Sequence, residues 1–101
     1  MSHPAPTRPW AKVGVDIFTF RGIDYLITTD YLSRYFEVDR FPSKRACDVI
    51  YCLKTHFARH GLPIEVFSDN NPFNSAEFRD FALKFDFKHT TLSPHFAQSN
   101  G

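Results

Sequence analysis

The feature that most restricts how this chain can fold is a single helical repeat set between strand-like runs. Ala46, Val49, Ile50, Leu53 and Phe57 recur at i, i+3, i+4, i+7 and i+11, which is one apolar face of a helix. Pro42-Ser43 opens it with Ser43 as N-cap, and Gly61 followed by Pro63 ends it. Before it lie three closely spaced runs, Lys12 to Phe20, Asp24 to Thr29 and Tyr35 to Phe41. Turns at Arg21-Gly22 and Asp30 to Ser33 separate them, so they read as an antiparallel meander. The first run is apolar at odd and even positions alike, which predicts burial on two sides. After the helix, Ile64 to Phe67 forms a strand ending in Ser68-Asp69. Asn74 with Glu77 is an Asx-type capping box for a second helix, whose stripe is Phe78, Phe81, Ala82 and Phe85. Phe87 to Thr91 is a last strand, broken by Ser93-Pro94. The order is β-β-β-α-β-α-β, and a helix between the third and fourth strands requires a crossover. The fold class is therefore α/β, a mixed five-stranded sheet with flanking helices and the meander on one side.

Residues 1–9 hold three of the prolines and no periodicity, and read as an extended lead-in anchored by Trp10. Residues 10–101 read as one domain, with 43% apolar residues and 12 Phe to fill a core. A net charge of +1 excludes a strongly basic surface, so any nucleic acid would be held at a local site. Cys47 and Cys52 make neither a Cys-x-x-Cys pair nor a disulfide framework, and read as half-buried thiols in a reducing compartment. The N-terminus lacks the layout of a signal peptide, and no apolar run reaches transmembrane length. The expected location is intracellular, nucleus or cytoplasm, with no membrane partner.

Asp16 is the odd residue of its strand, set among Val13, Val15, Ile17 and Phe18, where an unpaired buried carboxylate is costly. Asp69 ends the fourth strand, and ligands of open α/β sheets gather at the carboxyl ends of strands. If the first and fourth strands are neighbours, the two carboxylates meet and offer part of a Mg²⁺ site. The spacing leaves the alternative open, that Asp16 pairs with a Lys or Arg and Asp69 caps a turn. His56 and His60, at i and i+4, lack an evident third metal ligand and read as surface histidines near a helix end. Lys44, Arg45, Lys54 and Arg59 read as a solvated basic side, Glu37 and Asp39 as solvated acids of an edge strand, and Asp30 as structural.

Trp10-Ala-Lys-Val-Gly-Val-Asp16, Asp24-Tyr-Leu-Ile-Thr-Thr-Asp30-Tyr-Leu-Ser, His60-Gly-Leu-Pro and Phe67-Ser-Asp69-Asn-Asn-Pro-Phe-Asn-Ser-Ala-Glu-Phe stand in this order along the chain. Lys88-His-Thr-Thr-Leu-Ser-Pro and Gln98-Ser-Asn-Gly101 complete the set. Together they resemble the integrase catalytic core of Ty3/gypsy-type retrotransposons and retroviruses, from about Trp10 onward. Asn71 stands where that family commonly has Gly, and Ala97 where it commonly has Pro.

The resemblance implies an RNase H-like fold and a DDE-type polynucleotidyl transferase site, with Asp16 and Asp69 as catalytic and metal-binding residues. It implies Mg²⁺, or Mn²⁺ in its place, and DNA as substrate, with a homo-oligomer as a further partner. Asn70, Asn71, Ser93 and His95 fall on loops near the site, where they would position DNA. The third carboxylate of the family, a glutamate shortly after Gln-Ser-Asn-Gly, and the helices beyond it are not among these residues. Glu77, Glu65, Glu37, Asp39 and Asp30 do not substitute for it. The expectation is thus an integrase core that alone performs no strand transfer and exposes one aromatic sheet face, which favours self-association. The alternative is an inactive remnant that binds only DNA or a protein; a ribonuclease H of the same fold fits the motifs less well.

Overall fold

A computed structural model describes residues 9–41, 45–69 and 73–92. Strands β1 (Lys12–Phe20), β2 (Ile23–Asp30) and β3 (Phe36–Phe41) form the meander. Helix α1 (Ala46–His60) crosses to β4 (Glu65–Ser68), and helix α2 (Ala76–Phe85) leads to β5 (Lys88–Thr91). The sheet order is β3-β2-β1-β4-β5, antiparallel within the meander and parallel from β1 through β5. Every strand falls within one residue of the position its pattern predicts.

Local chemistry explains the junctions. Arg21 and Gly22 both have positive φ, 53° and 77°, the twist a two-residue hairpin between right-twisted strands requires. Gly61 leaves α1 at φ 104°, with its N–H donating to the Phe57 carbonyl. The expected caps are corrected. The N-cap of α1 is Arg45, whose side chain makes no capping bond to the helix amides, and Ser43 lies outside the described residues. At α2 the cap is Ser75, whose Oγ accepts from Phe78 N at 3.1 Å, so Asn74 and Glu77 do not form the capping box. Ser75 sits three residues before Phe78, which is where the first free amide of the helix needs an acceptor.

Both helices lie on one face of the sheet. Val13, Val15, Leu26 and Val66 meet Val49, Leu53 and Phe57 of α1 and Phe78 and Phe81 of α2 there. Phe57, Phe78, Phe81 and Phe87 form an aromatic cluster with ring centroids 5.2–6.3 Å apart. Each such buried side chain is worth roughly 1.5–3 kcal/mol. The opposite face has no helix over it among the described residues, so the expectation that β1 is buried on two sides fails. Phe18, Phe20 and Phe36 of that face are 41%, 56% and 55% exposed. Strand alternation is the reason: two helices cover one face, and every second residue of β1 points away from it.

The same alternation corrects the reading of the acids and histidines. Glu37 and Asp39 pair in register with Thr28 and Leu26, on the covered face. Glu37 is largely covered there, while the Asp39 side chain stays 39% exposed, and both are paired. His60 Nε2 meets Glu37 Oε2 at 2.7 Å, and Arg59 Nη1 donates to Glu37 Oε1 at 2.7 Å. The His60 hydrogen bond, aided by the Arg59 charge, holds the Glu37 carboxyl below its ordinary range against the effect of burial. His56 is fully buried, with Nδ1 2.8 Å from Thr28 Oγ1 and Nε2 2.9 Å from Asp39 Oδ2. Of the cysteines, Cys47 is exposed and Cys52 buried, so the half-buried expectation holds for neither. On the basic side of α1, Arg45 pairs with Asp48 and the Lys54 ammonium lies over the Phe85 ring, while Lys44 is outside the described residues.

Candidate functional site

The parallel ladder of β1 and β4 pairs Lys12 with Glu65, Val13 with Val66 and Gly14 with Phe67. Carried two residues further, this register sets Asp16 level with Asp69. Neighbouring strands run about 4.8 Å apart, and alternation sends both side chains to the open face. Both residues line a cleft of about 390 Å³ floored by Gly14 and Thr29 and walled by Tyr31, Phe67 and Leu92. The sequence-predicted pair is therefore brought together.

Its electrostatics differ from those expected. Asp16 is exposed, so the burial cost that made it conspicuous does not arise. Its Oδ1 accepts from Ile17 N at 2.8 Å, which orients the carboxylate. No Lys, Arg or His lines the cleft among the described residues, so the ion-paired alternative for Asp16 is not what is observed. Two adjacent carboxylates without a cation are a donor set that suits a hard divalent ion, with water and phosphate oxygens completing its shell.

The support of Asp69 was not singled out from the sequence. Ser68, fully buried beside it, donates from Oγ to the Asp69 carbonyl at 2.9 Å and accepts from His89 Nε2 at 2.7 Å. Burial holds the His89 imidazole below its ordinary pKa, and with the one Ser68 hydroxyl proton given to the Asp69 carbonyl, Nε2 is the donor of this pair. Leu92 N donates to the Ser68 carbonyl at 2.6 Å. The backbone that delivers Asp69 is thus tied to β5. The available signal was the parallel β4-β5 register, which sets His89 and Ser68 on the covered face.

Gly14 has a specific steric role. A Cβ there would sit 2.9 Å from Tyr31 Cε1, and the Tyr31 ring stacks on Phe67 at 5.2 Å. Burial, reinforced by the Glu65 carboxylate, pushes the Tyr31 phenol above its ordinary pKa, so it stays protonated.

The remaining candidates separate cleanly. Asn70, Asn71, Ser93 and His95 lie outside the described residues. Glu65 accepts from Thr90 Oγ1 at 2.7 Å at the far end of β4, and Glu77 is exposed on α2 away from the cleft. Asp30 is structural as expected. Burial works to raise its pKa, but hydrogen bonds from Ser33 Oγ and the amides of Trp10, Leu32 and Ser33 outweigh it and hold the carboxyl low.

Comparison with known proteins agrees with this architecture. The HTLV-2 integrase catalytic core domain, solved in complex with magnesium in a dimeric form, superposes with a TM-score of 0.78 at 20% identity, covering 93% of this chain and 68% of that one. The BIV integrase catalytic core gives 0.77 at 20% identity, covering 91% and 60%. The simian T-cell lymphotropic virus intasome gives 0.79 at 22% identity, covering 92% of this chain and 38% of that one. Among curated sequences, the Caenorhabditis elegans protein K02A2.6 is 29% identical over 100 residues, and the chain spans 8% of its length. No protein-family model matches the chain. The chain has the RNase H-like fold of retroviral integrase cores, and the resemblance carried by its motifs extends to its three-dimensional structure.

Proposed function

We propose that this chain is part of a retroelement integrase, contributing the catalytic-core cleft that holds a divalent metal ion against DNA. The observation that carries the reading is the β1-β4 register, which brings Asp16 and Asp69 level on an open sheet face without a neutralising cation. When bound, Mg²⁺ or Mn²⁺ would supply Lewis-acid stabilisation to phosphate oxygens and a more acidic bound water. The protein residues have separate tasks. Asp16 and Asp69 would hold the ion, the Ser68–His89 chain fixes the peptide that presents Asp69, and Tyr31 stacked on Phe67 walls one side of the cleft. DNA would be gripped through its phosphates at this cleft, since the chain as a whole is nearly neutral.

A second reading is that the chain binds DNA or a protein without cutting or joining strands. Mn²⁺ titration followed by a strand-transfer and nicking assay on DNA oligonucleotides tests both. Metal binding lost in Asp16→Asn and Asp69→Asn is expected on either reading. Metal-dependent joining abolished by Asp16→Asn supports the enzyme, and binding without joining supports the second reading. Mn²⁺ affinity unchanged in both variants would overturn the site altogether.

A further inference from the structure

A second cluster of metal-ligating groups lies on the other face of the sheet, between β3 and α1. Cys52 and His56 stand at i and i+4 on the inner side of α1, and Asp39 faces them from β3. Their ligand atoms all lie within 4.8 Å of one another. His56 Nε2 is 2.9 Å from Asp39 Oδ2 and 4.0 Å from Cys52 Sγ. Around a tetrahedral Zn²⁺, with bonds of about 2.0–2.3 Å, such atoms sit about 3.3–3.7 Å apart. The observed separations bracket that range.

We propose that Asp39, Cys52 and His56 form a binding site for Zn²⁺ or a similar borderline-soft divalent ion, clamping edge strand β3 to helix α1.

The His56 surroundings fit a metal ligand, and Arg59, whose Nη1 lies 3.4 Å from Asp39 Oδ2 but 2.7 Å from Glu37 Oε1, would keep the Glu37 pair and give up Asp39 as an ion enters. Thr28 Oγ1 lies 2.8 Å from His56 Nδ1, so it can accept the Nδ1 proton and free the Nε2 lone pair for the ion. An outer hydrogen bond of this kind is what orients a metal-binding imidazole. Burial holds His56 below its ordinary pKa, which keeps it neutral as a ligand must be. Burial, with the Asp39 carboxylate, pushes the Cys52 thiol up to about 11, so an entering cation displaces that proton as it forms the thiolate. Asp39 and Cys52 also line a cleft of about 490 Å³ with Asp48, Tyr51 and Thr55, which gives an entry path and room for water at the fourth position. The site stands apart from the Asp16–Asp69 cleft, with the sheet between them, and does not depend on the integrase reading.

Co²⁺ and Zn²⁺ titrations of the full chain test the proposal, in a background carrying Cys47→Ser, Asp16→Asn and Asp69→Asn so that the other thiol and the cleft acids do not contribute. The expected result is one Co²⁺ per chain with thiolate-to-metal charge-transfer absorption, displaced by Zn²⁺, and a higher melting temperature with Zn²⁺. Cys52→Ser should remove the charge-transfer band and weaken Zn²⁺ binding on the order of 100-fold. Thr28→Val, which keeps all three ligands, should weaken it about 10-fold. Absence of the thiolate band in the Cys52-containing background, or Zn²⁺ affinity unaltered by Cys52→Ser, overturns the site.

Discussion

The two faces of the sheet treat their carboxylates in opposite ways. On the helix-covered face, Asp30, Glu37 and Asp39 each meet hydrogen-bond donors, and Asp30 alone accepts four such bonds while fully buried. On the open face, Asp16 accepts one backbone bond from the next residue in sequence, and the Asp69 carboxylate has no partner among the described residues. A buried carboxylate must be saturated or it destabilises the fold, so Asp30 and Glu37 are scaffold, while Asp39, its side chain 39% exposed, is paired yet within reach of an entering ion. An exposed pair left unsaturated keeps its lone pairs for something outside the chain. The contrast separates acids that hold the structure from acids available for chemistry, although all of them sit on the same few strands.

The sharpest way to break this comparison is at Asp30. Asp30→Ala removes the acceptor of the Trp10, Leu32 and Ser33 amides and of Ser33 Oγ, and lets go of Trp10, which stacks on His60 at 4.2 Å. Buried donors left unmade cost about 1–3 kcal/mol each, so a loss of about 3 kcal/mol is expected in urea unfolding. A loss under about 1 kcal/mol would show that the loop is held by packing alone. Acid should attack the same face. The folded pKa of Asp30 lies below its unfolded value, so its contribution is present above the unfolded pKa and lost as pH falls through the folded one. His89 is also depressed, so the unfolded chain binds its proton first, and stability begins to fall as pH drops below about 6.5. Melting temperatures across this range should decline in two stages, and Ser68→Ala or His89→Gln should alter only the upper one.

The strands, both helices and the crossover were legible in the chain because their periodicities are long and their turns chemically explicit, as at Arg21-Gly22. The pairing of Asp16 with Asp69 was legible because Asp16 interrupts the apolar run of β1 and Asp69 ends that of β4, and the two strands are parallel neighbours. What could not be read was which face each strand turns to the helices. Glu37 and Asp39 look like solvated edge acids until β3 is in register, and His56 looks like a surface residue until Asp39 and Thr28 are opposite it. The caps of α1 and α2 were misplaced for a more local reason. Ser43, Asn74 and Ser75 are all competent caps, and only the backbone path selects among them.

Gly14→Ala probes the open face at smaller cost. The added methyl meets the far end of the Tyr31 ring at 2.9–3.3 Å, and that ring can swing toward solvent. The fold should lose about 1 kcal/mol or less, since the ring is 45% exposed and only its stacking on Phe67 is given up. Mn²⁺ affinity should fall modestly as the cleft wall shifts, with the variant still folding cooperatively. A loss as large as that of Asp30→Ala would mean that the open face carries structural weight equal to the covered one.

The smallest stability effect belongs to the residues proposed for the chemistry. Like charges about 5 Å apart repel by about 1 kcal/mol in a water-like dielectric, less when salt screens them. Asp16→Asn removes that repulsion at the cost of nothing buried, so the metal-free protein should be as stable as the parent or up to about 0.5 kcal/mol more so. Added Mn²⁺ should then separate the two proteins in the opposite direction, raising the melting temperature of the parent by binding the folded state and leaving the variant unmoved. Destabilisation of metal-free Asp16→Asn by more than about 1 kcal/mol would place Asp16 with Asp30 among the scaffold acids, and the difference between the two faces would no longer mark the site.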